Sequence, residues 1–276
     1  MTFLMRWLSG LPLLWVQRIG GVLGWLTWYA SARYRQQFRE HAQQAGYRFD
    51  QVRAAIPAAG CQALEAFRVW FNGDMPVQWR GVEHIEAAYA QGKGIVFLTP
   101  HLGCFEITAW AQAQTFGPRF GQMTVLYRPA RQPWLRQLLR SARDKPFLKA
   151  VPTNMEGVRH MLKALRQGQA VGLLPDQVPP LGMGVWSRMW DRPAYTMTLA
   201  AKLALQTGAR IVLAWGERLP HAQGYCIHVQ PMTQELAADV QTVVLQINEA
   251  MQALIRQCPE QYLWGYARFK QPRQEA

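Results

Sequence analysis

The sequence predicts an α/β fold, in which a mostly parallel central sheet is flanked by helices and preceded by an apolar N-terminal segment. Short, continuous apolar runs recur along the chain, and such runs are typical of strands buried on both faces. Stretches with helical spacing separate these runs, and strands that alternate with helices form parallel sheets. The chain has 276 residues, half of them hydrophobic, which supports a sizeable core and excludes a disordered or fibrous protein.

The predicted elements follow one another in a regular order. The first strand, residues 94–99, comes directly after Gly92-Lys93 and reads GIVFLT. Further strand-like runs cover residues 123–127, 170–174, 211–215 and 225–229. Helical stretches cover residues 50–71, 106–114, 133–143, 155–167, 196–207 and 235–257. No Ser- or Gly-rich linker divides the chain, so we predict one catalytic domain over residues 36–276 after a membrane-associating segment over residues 1–35.

The first thirty residues form an apolar, tryptophan-rich segment. Residues 3–32 contain Arg6 and Arg18 as their only charges, and the uncharged stretch 19–32 is fourteen residues long, short of the ~20 that span a bilayer. The tryptophans suit a membrane interface, and no signal-peptide cleavage site follows. We expect this segment to associate with a membrane; a core helical hairpin broken at Gly20-Gly21 is the alternative.

The composition points to an anionic partner and a reducing compartment. Thirty Lys and Arg residues against 17 Asp and Glu give a formal net charge of +13, and the pI is about 10.1. This balance favours binding to a phospholipid surface, an acidic protein or nucleic acid. The four cysteines are too scattered for a disulfide scaffold or a Cys-x-x-Cys metal site, which indicates reduced thiols in the cytoplasm.

Several common catalytic motifs are absent from the sequence. No Gly-x-x-x-x-Gly-Lys-Ser/Thr loop is present, and no serine lies in a Gly-x-Ser-x-Gly elbow. No two histidines have the His-x-x-x-His spacing of a helical zinc site, and we predict neither a metal nor another cofactor. The chemistry therefore has to come from another combination of side chains.

The best candidate follows the first predicted strand, in the stretch Thr99-Pro100-His101-Leu102-Gly103-Cys104-Phe105-Glu106. With His101 in the turn before a helix and Glu106 in its first turns, the carboxylate can reach back to the imidazole. Such a pair suits general-base catalysis, in which Glu106 orients His101 while His101 takes a proton from a hydroxyl. Gly103 would let a substrate approach the backbone closely. On spacing alone, a His and a Glu five positions apart can also be unrelated.

Several sequence blocks, taken together and in order, resemble a known family. They are residues 94–106, Tyr127-Arg128-Pro129, Gly157-Val158-Arg159, Leu173-Leu174-Pro175-Asp176-Gln177, Cys258-Pro259-Glu260-Gln261-Tyr262-Leu263-Trp264 and Arg268-Phe269-Lys270. They resemble the late (lauroyl and myristoyl) acyltransferases of lipid A biosynthesis, within the lysophospholipid acyltransferase superfamily. The His-x-x-x-x-acid motif alone is weak, whereas its combination with Pro-Asp-Gln and the C-terminal blocks is specific.

The resemblance implies roles for five residues. His101 would be the general base, and Glu106 its orienting carboxylate. Arg128 and Arg143 match basic positions associated with substrate binding, and Asp176 matches an acid that faces the same pocket. Ligands collect at strand ends in α/β sheets, which independently favours Asp176; a helix cap or turn is the alternative for this residue.

A basic stretch between Arg119 and Lys149 holds eight basic residues and a single acid, Asp144. Its sign suits a phosphorylated glycolipid or the acidic surface of an acyl carrier protein, although a solvated helix face has the same pattern. Nucleic acid is the rival partner for this stretch. No recognised nucleic-acid motif accompanies the arginines, so we predict no nucleic-acid binding.

These observations predict a membrane-associated O-acyltransferase on the cytoplasmic face of a bacterial inner membrane. It would move a fatty acyl chain from an acyl carrier protein thioester to a hydroxyl of a lipid A precursor, an anionic glycolipid. One alternative is another lipid acceptor, such as a lysophospholipid, an ornithine-type lipid or a phosphatidylinositol mannoside, with acyl-coenzyme A as donor. A non-catalytic basic membrane-binding protein is the alternative from a different class.

Overall fold

Seven strands form the central sheet in the computed structural model, which describes residues 9–73, 75–127 and 145–274. The strand order is β1-β9-β8-β2-β5-β3-β4. These strands are β1 (Val77–Arg80), β2 (Ile95–Leu98), β3 (Met123–Tyr127), β4 (Leu148–Pro152), β5 (Ala170–Leu173), β8 (Arg210–Arg218) and β9 (Tyr225–Pro231). A separate two-stranded hairpin consists of β6 (Gly184–Met189) and β7 (Arg192–Met197).

Pairing in the sheet is parallel except between β8 and β9, which confirms the predicted mostly parallel sheet. The central strands β2 and β5 are buried along their whole length, as their continuous apolar sequences predict. Their register pairs Leu98 with Leu173, so both chains leave the sheet at the same edge and at the same level.

Helices cover both faces of the sheet, and each face has its own apolar core. One face packs against α5 (Val82–Tyr89) and α6 (Phe105–Phe120). The other packs against α7 (Met155–Arg166), α8 (Leu199–Thr207) and α9 (Val240–Gln257). The chain before the sheet forms α1 (Leu13–Ala30), α2 (Ala32–Gln44), α3 (Phe49–Val52) and α4 (Ala55–Phe71).

Helix α1 packs on α4 through glycines instead of breaking into a hairpin. The helix runs unbroken through Gly20-Gly21, so the predicted alternative of a hairpin broken there is wrong. A Cβ on Gly60 would lie 2.0 Å from the Gly20 carbonyl oxygen, and one on Gly24 would lie 2.3 Å from the Ile56 carbonyl oxygen. Only glycine allows the two backbones this approach. In the described part of the chain, no helix combines the length and apolar character needed to cross a bilayer.

Most predicted helix ends are right within a few residues, but the helix predicted over residues 106–114 continues to Phe120, the stretch 50–71 is divided into α3 and α4, and two helices begin later than predicted. The helix predicted from residue 196 begins at Leu199, because Thr196 belongs to β7 and is buried there. The helix predicted from residue 235 begins after Asp239, whose side chain accepts a hydrogen bond from the Thr242 amide over 2.9 Å and caps the helix. The helix predicted over residues 133–143 lies outside the described residues.

Candidate active site

The register of β2 and β5 brings two polar side chains together at one edge of the sheet. The Thr99 amide donates to the Leu173 carbonyl over 3.1 Å, which extends the pairing by one residue. His101 stands three residues after Leu98, and Asp176 stands three residues after Leu173. Because Leu98 and Leu173 are paired, His101 and Asp176 leave the sheet side by side.

Asp176 holds His101 with both carboxylate oxygens. Its Oδ1 lies 2.8 Å from the imidazole Nδ1, and its Oδ2 accepts the His101 backbone amide over 2.8 Å. An ionised carboxylate can only accept hydrogen bonds, so the imidazole must carry its proton on Nδ1. Its Nε2 then carries no proton and accepts a hydrogen bond from the Gln177 side-chain amide nitrogen, 2.9 Å away. This tautomer is the one that can take a proton through Nε2.

Asp176 is ionised although it is buried. Its side chain is 2% exposed and that of His101 is 14% exposed. Burial by itself would raise the pKa of Asp176, but the charge that His101 carries once it is protonated and the hydrogen bonds from His101, with a further contribution from Arg268, outweigh burial and lower the pKa. A carboxylate held in this way fixes the ring orientation and stabilises the imidazolium that forms on proton uptake.

The Glu106 carboxylate does not hydrogen-bond to the His101 imidazole, although the spacing of the two residues in the sequence predicts that it does. The hydrogen bonds of the imidazole go to Asp176 and Gln177, and the expectation that Glu106 reaches back to His101 is wrong. Helix α6 begins at Phe105, and its first side chain lies beside the imidazole, with 4.7 Å between the ring centroids. Glu106, in the first turn of this helix, is half-buried and lines an apolar cavity.

Gly103 serves the protein backbone, not a substrate. It has a φ of +60°, and a Cβ at this position would lie 1.9 Å from the Gly216 carbonyl oxygen. The close approach that the glycine permits is therefore between the His101 turn and β8. The expectation that a substrate uses this space is wrong.

The apolar cavity lies beside the site, between α4, α6 and one face of the sheet. It encloses about 890 Å³ of space not filled by atoms, part of it open to solvent. Thr99 and Phe105 line it next to His101. Further in, its walls include Phe97 and Gly172 from the sheet. The lining is predominantly hydrophobic and aromatic, which suits an extended hydrocarbon chain better than a polar substrate.

A second layer of buried polar groups lies behind Asp176. Arg268 is 3% exposed and donates to the Tyr195 carbonyl over 2.8 Å and to the Thr196 hydroxyl over 2.5 Å. Tyr262 is buried, and both its burial and the charge of Asp176 raise its pKa well above the usual value. Sequence reasoning gave no role to Gln177 or Arg268, although both lie in the blocks that carry the resemblance.

The predicted basic residues Arg128 and Arg143 lie outside the described residues, as do Arg136 and Arg140 on the same stretch. Within the described ranges, one group of side chains has the composition of a metal site: Glu217, Cys226 and His228 on β8 and β9. The Glu217 carboxylate is 2.7 Å from the His228 Nε2, so these two groups already satisfy each other. Neither hydrogen-bonds to His101 or Asp176.

The fold and this site can be compared with known proteins. A family model described as bacterial lipid A biosynthesis acyltransferase matches residues 1–271. The chain belongs to this family. The predicted family and enzyme class, an acyltransferase, are confirmed.

The relatives are identical to this chain at about a quarter of the aligned positions. The lipid A biosynthesis lauroyltransferase of Escherichia coli is 29% identical over 77% of this chain and 69% of its own length. The lipid A biosynthesis myristoyltransferase of the same organism is 25% identical over 68% of this chain and 57% of its own. A lipid A biosynthesis acyltransferase of Haemophilus influenzae is 24% identical over 67% of this chain and 56% of its own.

Proposed function

We propose that this chain transfers a fatty acyl group from a thioester to a hydroxyl of a lipid A precursor. Membership in the acyltransferase family supports the reaction class. The observation that carries the mechanism is the contact between Asp176 and His101, which leaves the imidazole Nε2 as a proton acceptor beside an apolar cavity.

The reaction follows from this geometry. The acceptor hydroxyl replaces the Gln177 amide as the partner of the His101 Nε2 and gives up its proton to that nitrogen. The hydroxyl oxygen attacks the thioester carbonyl, a tetrahedral intermediate forms, and the C–S bond breaks. The proton on His101 leaves with the thiolate, which restores the neutral imidazole. Asp176 remains ionised throughout and stabilises the transient imidazolium.

The apolar cavity is the place for the acyl chain. Each buried methylene contributes about 0.8 kcal/mol to binding. An acyl chain of medium length therefore gains most of its binding free energy from contact with the apolar lining of the cavity. Thr99 and Phe105 belong both to the cavity lining and to the surroundings of His101. A chain bound between them would hold its thioester carbonyl at the imidazole.

The proposed acyl donor and the proposed binding site for the headgroup are both assigned from charge. Acyl carrier proteins are acidic, and a net charge of +13 favours their approach. Arg128 and Arg143 are the residues we assign to the anionic groups of the substrates, on the strength of the sequence resemblance alone. Acyl-coenzyme A, which is also anionic, is the alternative donor.

The proposal that this protein associates with a membrane is based on exposed apolar side chains. The outer face of α1 exposes Trp15, Val22, Leu26 and Tyr29 by 52%, 58%, 57% and 71%. An exposed apolar helix face with basic residues nearby lies in the plane of a membrane surface. We assign this face to the cytoplasmic side of the inner membrane, where it belongs to the proposed N-terminal segment of residues 1–35.

Lipid analysis by mass spectrometry tests this function. Bacterial cells that lack the gene, cells that carry it and cells that carry the His101→Ala variant are compared for lipid A and phospholipids. We expect one additional ester-linked acyl chain on lipid A in cells with the unaltered protein only. An added acyl chain on a phospholipid or an ornithine lipid instead would identify a different acceptor. No change in any lipid would contradict the proposal.

A further inference from the structure

The turn that carries His101 is tied to two other segments by its backbone. One segment is the end of β8, and the other is the C-terminal stretch 258–264, which the sequence comparison singled out without giving it a role. The hydrogen bonds are Gly103 N to Gln261 O (3.1 Å), Cys104 N to Gly216 O (2.8 Å) and Leu263 N to His101 O (3.2 Å). The turn is therefore held on both sides of the catalytic imidazole.

Two glutamine side chains complete this arrangement. Gln62, buried on α4, donates its side-chain amide to the Gly103 carbonyl over 3.1 Å. The side chain of Gln261 accepts the Arg218 amide over 2.9 Å and donates to the Arg218 carbonyl over 3.0 Å. The Gly103 carbonyl is thus held by the side chain of Gln62, and the Gly103 N–H by the backbone carbonyl of Gln261, a residue whose side chain is itself clamped to the end of β8.

The end of β8 is a fixed point because of a buried ion pair. Arg218 Nε and Nη2 lie 2.7 and 2.6 Å from the two carboxylate oxygens of Glu65, whose side chain is 0% exposed. Burial would lower the pKa of Arg218, but the carboxylate of Glu65 outweighs burial and raises it, so the guanidinium keeps its charge. Gln17 of α1 donates a third hydrogen bond to Glu65 over 3.0 Å.

We propose that Gln62 and Gln261 are positioning residues, which hold the His101 turn in the geometry required for proton transfer. This inference rests on the role proposed above for His101. The two peptide groups that flank Gly103 cannot rotate freely while Gln261 holds the N–H of one and Gln62 holds the carbonyl of the other, and His101 is two residues away. Catalysis is sensitive to such constraints, since a displacement of about 1 Å at the reacting atoms can cost about 100-fold in rate.

Methionine variants test the proposal. Gln62→Met and Gln261→Met keep the length of the side chain and remove its hydrogen bonds. Gln62→Met removes the bond to the Gly103 carbonyl directly, whereas Gln261→Met removes the clamp on Arg218 that fixes the backbone carbonyl facing the Gly103 N–H. We expect each to lower kcat by about 10- to 100-fold, with the KM for the thioester changed by less than about twofold, because substrate binding does not use these residues. Hydrogen exchange followed by mass spectrometry should become faster at residues 101–104. Assays are run at a temperature at which circular dichroism shows every variant fully folded.

The double variant and a control separate positioning from general destabilisation. Both glutamines act on Gly103, so the double variant should lose less activity than the product of the single losses. Glu217→Gln, next to Arg218 on the same strand, breaks the ion pair with His228 and should leave kcat and exchange at 101–104 unchanged. Native kcat in both glutamine variants, with His101→Ala inactive, would overturn the positioning role alone. Near-native turnover of His101→Ala would instead overturn the proposed mechanism and this inference with it.

Discussion

His101 and Asp176 stand at the same distance beyond two paired residues of adjacent parallel strands. Each follows its strand partner, Leu98 or Leu173, by three positions, and their side chains meet with 2.8 Å between Nδ1 and Oδ1. This pair is therefore built by the register of the sheet and not by the spacing of residues along one helix. Both residues lie in turns, and the paired strands before them fix the places at which these turns begin.

The first prediction concerns this pair. His101→Ala removes the base and should lower acyl transfer by about 10²–10⁴-fold. Asp176→Asn should cause a loss of similar size, because an asparagine can present its NH₂ to Nδ1 and so favour the wrong tautomer. Glu106→Ala should retain more activity than either. Steady-state kinetics with a thioester donor measures all three, and a larger loss in Glu106→Ala than in Asp176→Asn would return the orienting role to Glu106.

The second prediction concerns stability against pH. The pKa of Asp176 is lowered in the folded state, whereas an unfolded aspartate titrates near about 3.9. The unfolded chain then binds the proton more readily, so Asp176 stabilises the fold fully above about pH 5 and loses this effect as the pH falls through the folded pKa. Thermal unfolding measured between pH 3 and 7 should show that the melting temperature of the unaltered protein exceeds that of Asp176→Asn, and that this difference becomes smaller below about pH 4.

The exposed Asp191 supplies the control for this measurement. Asp191→Asn removes an exposed carboxylate that hydrogen-bonds to no side chain in the described residues, so thermal unfolding of this variant over the same range shows how much of the effect comes from the loss of one negative charge alone. A difference between the unaltered protein and Asp176→Asn that stays constant down to pH 3 would contradict the assignment of an ionised, stabilised Asp176.

The sequence predicts five of the nine described strands (β2, β3, β5, β8 and β9) and the two halves of the site, but not how the halves combine. Continuous apolar runs identify β2 and β5, and the blocks that end them contain His101 and Asp176. Which carboxylate meets the imidazole depends on which strands are neighbours, and strand order is a long-range property that local spacing does not encode. For this reason spacing alone points to Glu106, whereas in the structure the carboxylate that contacts the imidazole is that of Asp176.

The same limit applies to the residues that sequence reasoning missed. Gln62 lies in a helix with no chemical motif, and its contact with Gly103 depends on the packing of α4 against the catalytic turn. The hairpin of β6 and β7 was predicted in part as helix, because the alanines and leucines that follow Thr196 extend a helical pattern backwards into the strand. Tertiary contacts of Thr196 with Arg268 and Asn248 decide the outcome.

The third prediction concerns the membrane surface. Val22 and Leu26 lie one turn apart on the exposed face of α1, and burying two such side chains contributes about 3–6 kcal/mol in all. The double variant Val22→Glu/Leu26→Glu should therefore bind anionic phospholipid vesicles at least about 100-fold more weakly. Vesicle co-sedimentation measures the binding.

Two controls accompany the vesicle experiment. Met155 is 66% exposed at the start of α7, and Met155→Glu should leave binding unchanged. High salt should release little of the unaltered protein, since apolar burial is not screened as charge attraction is. Full release by salt would show that the α1 face does not enter the membrane.

The fourth prediction concerns the length of the acyl chain. Gly172 lines the cavity from the centre of the sheet, and a Cβ there would lie 2.7 Å from Met123 Cε and 3.0 Å from a methyl of Val125. Gly172→Val fills part of the cavity, so kcat/KM should fall more for long thioesters than for short ones, by up to about tenfold for each 1.4 kcal/mol of lost burial. Competition between thioester donors of different chain length measures the ratio of their kcat/KM values. Val171→Ile, whose side chain points to the opposite face, should leave the preference unchanged. An equal loss for all chain lengths in Gly172→Val would place the acyl chain elsewhere.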